Sequence, residues 1–301
     1  KGAVLLFAVA SVNGFAVTPG VASTNLQKKY TSSSSSSPAS VFWNRGGALA
    51  QVRSPPSSSL KSVTSSPSSE TEVDTGAILK YGSAAVVQIA LIASLFYGLD
   101  YALAATGNTA LPTPLTWILF YAFSIRSRTF NPLNNARPAA AKDDEKRKGF
   151  NDRIQPSWTP PGVVFPIMWL LIIAPLRATS STFVVDAMGG YLSLPLMSLM
   201  LHLTIGDIWN TINNTEKRFG TSVVGVSAVW ASALHAAYRY YEVDPLAGQL
   251  LGATAIWLTI ASALIFQTWR LNVDENGEKA SLLPTKVVGE ESVTKFSWGA
   301  K

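Results

Sequence analysis

The chain has 301 residues, 48% of them hydrophobic and 14% charged, with mean hydropathy +0.22 and not one cysteine. That balance is too apolar and too charge-poor for an ordinary soluble domain and fits a polytopic membrane protein. The missing cysteines exclude disulfides, cysteine-zinc sites, iron–sulfur clusters and a cysteine nucleophile. The net charge of +6 does not argue for nucleic-acid binding, because residues 1–69 hold six basic residues and no acid, and from Glu70 onward 18 basic residues face 18 acidic ones.

In chain order, Lys1 and the apolar run Ala3 to Val12 read as a signal-peptide core within residues 1–14, too short to span a bilayer. Residues 15–69 are rich in Ser and Thr and free of acids, the composition of a transit peptide. Together they resemble the bipartite presequence of algae with secondary plastids, which implies a plastid membrane. An ordinary secretory signal with a serine-rich tail, placing the protein in the endomembrane system, is the alternative.

Six apolar segments follow, at about 76–105, 111–125, 162–178, 190–212, 221–241 and 245–271, and predict an all-α membrane bundle of five to six transmembrane helices over residues 76–272. The second is short and opens among Pro112 and Pro114, which leaves the count open. Arg126 to Arg153 carries eight basic and four acidic residues, and Lys217, Arg218 and Arg270 fall on the same side, in keeping with the positive-inside rule. Pro175 and Arg177 are expected to kink and close the third segment, with Arg177 snorkelling to the interface. The tail 273–301 reads as polar and solvated.

Six tryptophans lie in or beside the last four segments: Trp158, Trp169, Trp209, Trp230, Trp257 and Trp269. An aromatic belt explains those near the interfaces, but Trp169 and Trp257 sit deeper, where flat π-faces suit a flat conjugated ligand. Trp257 and Ala261 share a helical face at i and i+4, which equally suits a small-residue packing seam. Asp207 is an ionisable residue near a helix end, either functional or solvated, with Asn210 and Asn213 on its face at i+3 spacing and Arg218 as its charge partner. His202 and His235 lie at depths compatible with two ligands of one haem, but that spacing is not diagnostic and interhelical hydrogen bonding is the preferred account. No catalytic constellation stands out.

Pro156-Ser-Trp-Thr-Pro-Pro161 with Phe165 and Trp169, followed by Val243-Asp-Pro-Leu-Ala247, Leu250-Leu251, Trp257 and Trp269-Arg-Leu-Asn272, resembles the tryptophan-rich sensory protein and translocator protein family, TspO/MBR or the peripheral benzodiazepine receptor family, over about residues 155–272. The resemblance implies a five-helix bundle, usually dimeric, that binds porphyrin or haem in an aromatic cavity and requires no cofactor. It implies that Trp158 belongs to a covering loop, that Phe165 and Trp169 line the cavity, and that Trp209, Trp257 and Ala261 contribute from later helices; Asp207 joins them as a candidate binding residue on its own ionisable chemistry. The chain departs from the family pattern at Val163, Ile173, Ala253-Thr254, Gly206 and Leu264-Ile265, and Phe266 stands where a sterol-contact pattern needs tyrosine. The expected role is ligand sensing, carriage or scavenging. Transport of such a ligand, or a structural place in a plastid membrane complex, are the rivals.

Overall fold

The computed structural model describes residues 70–134, 153–274 and 276–297. The signal-like and transit-like segments and the charged loop Lys142 to Lys148 lie outside the described residues. Six helices carry the described fold: α1 (Thr75–Ala105), α2 (Thr113–Arg126) with a 3-10 turn at Ser127–Phe130, α3 (Val164–Met188), α4 (Leu194–Asn210), α5 (Phe219–Tyr241) and α6 (Pro245–Leu271). Two short strands, β1 (Thr71–Val73) and β2 (Thr285–Val287), pair antiparallel, with Thr71 opposite Val287.

α1, α3, α5 and α6 are long and apolar enough to cross a membrane. α4 has 17 residues and continues as a five-residue π turn, Thr211–Thr215, which together reach about 30 Å. α2 has 14 residues, about 21 Å, short of a hydrocarbon core of about 30 Å. Neighbouring helices pack in the order α1, α4, α5, α6, α3, α2. Phe96 of α1 then meets Phe120 and Phe123 of α2 edge-on, at 6.0 and 5.3 Å, and closes the ring.

α1 buries one stripe and leaves most of the rest apolar, whereas α4 is buried almost all round. In α1 the stripe is Ala77, Ala84, Gln88, Ile92 and Phe96, while Leu79, Val86, Tyr97 and Tyr101 face outward. A helix that is hydrophobic all round needs an apolar solvent on its free face. Helix ends follow local chemistry: Asp74 and Asp244 cap α1 and α6 by accepting from the Ala77 and Ala247 amides at 2.9 and 2.8 Å.

α3 departs from expectation in three ways. It runs ten residues beyond Ala178, because its polar stretch is satisfied internally: Ser180 donates to Arg177 O, Thr182 to Ala178 O, and Ser181 bonds Tyr240 Oη at 2.9 Å. Pro175 does not close it. The helix instead widens into a π turn at Met168–Ile173 just before the proline, where Tyr121 of α2 donates to the Leu170 carbonyl at 3.2 Å. Arg177 does not snorkel either. It is 3% exposed inside the bundle, with Nη2 2.6 Å from His202 Nε2.

The C-terminal tail is not merely solvated. It folds back over the ends of α1 and α5 as a strap. Asp74 receives Arg218 Nη2 at 2.6 Å and Ser292 Oγ at 2.8 Å, Trp269 Nε1 donates to Ala280 O, and Leu133 bridges to Phe296. At Gly220 a β-carbon would stand 2.1 Å from the Ser281 carbonyl oxygen, so only glycine lets the strap lie this close.

Candidate ligand cavity

The segment before α3 is pinned across the end of α6. Asn272 Oδ1 accepts from the Ile154 amide at 3.0 Å, its Nδ2 donates to Ile154 O at 2.9 Å, and Trp158 Nε1 donates to Gln267 Oε1 at 2.6 Å. Pro160 and Pro161, which lack amide donors, fall in the loop, and the helix starts at Val164, two residues later than Gly162. Beneath this loop lies a cavity between α3, α4 and α6. Its apolar wall is Phe165, Trp209, Ala261, Leu264 and Ile265, and its polar end is Arg153, Gln155, Asn213 and Thr268.

The cavity is closed down to about 20 Å³, room for about one water. A drug-sized ligand takes a pocket of roughly 300–1,000 Å³. A flat ligand therefore enters only if α3 and α6 part or the loop lifts.

Phe165, Trp169, Trp257 and Leu264 form one aromatic-aliphatic cluster, with Phe165 and Trp257 edge-on at 5.6 Å and 65°. Trp169 also joins the neighbouring cluster around Trp209, Val226, Val229 and Leu258. The Trp209 indole donates to Ser222 at 3.0 Å to Oγ and 3.1 Å to O, and packs where Gly225 leaves room; a β-carbon there would lie 2.9 Å from its ring. The Trp257 Nε1 is buried and has no acceptor among the described residues. A buried indole donor ordinarily has a partner, so this one marks a position where an acceptor is missing.

The structure thus brings Phe165, Trp169, Trp209, Trp257 and Ala261 to one region. Trp158 latches the loop from above and is 43% exposed. Asp207 does not join them. Its carboxylate accepts from Gln88 Nε2 at 2.8 Å and Ser127 Oγ at 2.7 Å on the far side of α4. Gln88 in turn accepts from Asn131 at 2.8 Å, so Asp207 ties α1 and the 3-10 turn to α4. Arg218 is not its partner either, being paired with Asp74 and Glu216. The expected Asp207 and Asn213 face is broken by the π turn at Thr211–Thr215, which turns Asn213 toward Ser222, Arg153 and the cavity.

The two histidines do not converge. His202 is buried between Arg177 and the Val229 carbonyl, whereas His235 is exposed on the outer face of α5. Trp230 and Trp269 are spent on Thr259 Oγ1 and Ala280 O. Arg153 was hidden from sequence reasoning among the charges of the preceding loop. Its signal was its position, the last basic residue before Pro156-Ser-Trp158.

Apolar helices around a cavity walled by Phe165 and Trp209 define an integral membrane helix-bundle protein. Residues 133–270 match the family model described as TspO/MBR family, which places that stretch of the chain in the family. Protein CrtK of Rhodobacter capsulatus is 28% identical over 122 residues, covering 40% of this chain and 76% of that protein. A tryptophan-rich sensory protein of Cereibacter sphaeroides is 27% identical over 139 residues, 44% of this chain and 81% of its own. The translocator protein of Homo sapiens is 27% identical over 121 residues, 39% and 71% respectively. α1 and α2 precede the matched region, and α1 packs beside α4 as an addition to it.

Proposed function

We propose that this protein binds a tetrapyrrole, porphyrin or haem, or a similarly flat apolar ligand, between α3, α4 and α6, for sensing, carriage or scavenging. The observation that carries this reading is the buried Trp257 indole, edge-on to the cavity-lining Phe165, whose N–H has no acceptor among the described residues. A ring nitrogen or a carbonyl of a bound conjugated ligand would supply one. Aromatic walls at Phe165 and Trp209 offer π-faces to its plane, with Trp169 packed against both. The loop is the part that lifts, since its bonds to the end of α6 from Ile154 and Trp158 converge on two side chains, Asn272 and Gln267. The N-terminal composition supports a plastid membrane as the site of action.

A purely structural role within a membrane complex is favoured by one observation, the closure of the cavity to about 20 Å³. Tryptophan-fluorescence quenching of the detergent-purified full chain by protoporphyrin IX separates the two. Saturable quenching, weakened in Trp257→Leu and Trp169→Leu after correction for the lost fluorophore, is expected. Quenching that never saturates, or is unchanged in both variants, assigns the tryptophans to packing.

A further inference from the structure

We infer that the ligand of this cavity carries a carboxylate and that Arg153 receives it. The inference rests on the aromatic-cavity reading and names the chemistry of its occupant. The cavity is polar at one end only, where Arg153, Gln155, Asn213 and Thr268 meet, and apolar elsewhere. Arg153 is half-buried there, and its Nε is buried with no acceptor. Its Nη1 reaches Asn213 Oδ1 only at 3.3 Å, and its Nη2 donates to the Asn213 carbonyl at 3.0 Å.

Among the described residues no carboxylate stands within ion-pair distance of Arg153, whereas Arg218, on the same side of the bundle, has two. Its guanidinium lies over the Phe219 ring, 4.0 Å from the centroid, which fixes its plane. A clamp on the π turn uses the two Nη groups and leaves Nε idle. An arginine fork offers a carboxylate two parallel donors, which suits a group entering beside Nε. Asn213 Oδ1 also accepts from Ser222 Oγ at 2.9 Å, so it stays satisfied when Nη1 turns to a ligand.

Burial lowers the Arg153 guanidinium to about 10, so it remains charged at neutral pH. A cation half-withdrawn from water without a counter-ion among the described residues is a cost that an acidic ligand offsets and a neutral one does not. The acid group would sit at the mouth, with the flat body running inward past Phe165 and Trp209. Neutral hydrocarbons or sterols match the wall but leave this end unpaired.

The test compares protoporphyrin IX, a dicarboxylic acid, with its dimethyl ester, titrated into the full chain and into Arg153→Gln and Arg153→Lys. The acid should bind the wild type about tenfold or more tightly than the ester. Arg153→Gln should bring the acid to the level of the ester, thermal unfolding in detergent showing that the variant is folded, and Arg153→Lys should recover part of the difference. Equal binding of acid and ester by the wild type overturns the inference while the aromatic cavity stands. Equal weakening of both by Arg153→Gln assigns Arg153 to the π-turn clamp and likewise overturns it. No saturable binding of either compound overturns the cavity reading, and this inference with it.

Discussion

Arg177 Nη2 lies 2.6 Å from His202 Nε2, deep in the bundle and roughly midway along α3. Arginine has donors only, so Nε2 must be the bare acceptor, and the imidazole proton sits on Nδ1, which faces the Val229 carbonyl at 3.1 Å and Ser232 Oγ at 3.0 Å. On the other side the guanidinium lies over Trp169, 5.5 Å from the ring centroid. The charge is thus held by an imidazole and an indole face in place of a carboxylate. The pair locks α3 to α4 and α5 at the depth of the cavity tryptophans.

Removing the acceptor strands that charge. His202→Leu should destabilise the bundle by about 3 kcal/mol, the scale of an unpaired buried charged donor. His202→Gln, whose amide oxygen can accept, should recover more than half of the loss. Thermal unfolding in detergent reads both, and equal loss in the two variants would show that the imidazole serves packing alone.

The strap gives a pH dependence. Burial raises the Asp74 carboxyl, but the Arg218 guanidinium, the Ala77 amide and Ser292 outweigh it and hold the group below the ordinary value of 3.8. A lowered carboxylate contributes stability above its unfolded value, and that contribution is lost as pH falls through the folded one. Pairing of β2 with β1 should therefore hold at neutral pH and loosen below about pH 3.8. Hydrogen exchange at Thr285 to Val287 measures this. Asp74→Asn should exchange fast at neutral pH already, and a pH-independent wild type would count against Asp74 as the latch.

Much of the fold was legible because apolar runs set helix lengths directly. α6 falls at Pro245–Leu271, where the Asp-Pro cap and the end of the apolar run place it, and Pro156-Ser-Trp-Thr-Pro-Pro161 marked the loop before α3. What stayed hidden depended on contacts between distant segments. Thr179 to Thr182 looked like a helix end because their hydroxyls read as polar, yet Ser180 and Thr182 turn back on their own helix. The face of Asp207 depended on Gln88 of α1 and on a π turn that no 3.6-residue periodicity contains. A glutamine inside an otherwise apolar helix was the one signal for that contact.

Ala261 offers the most direct test of the account. It lines the cavity wall one turn from Trp257, and a larger side chain there fills space that a ligand would need. Equilibrium titration of the full-length protein with protoporphyrin IX, comparing wild type with Ala261→Phe, is the deciding measurement. Saturable wild-type binding is expected, with a loss of about tenfold or more in affinity in Ala261→Phe and thermal stability within about 1–3 kcal/mol of wild type. Unchanged affinity in a folded Ala261→Phe protein would contradict it, because the ligand would then lie elsewhere.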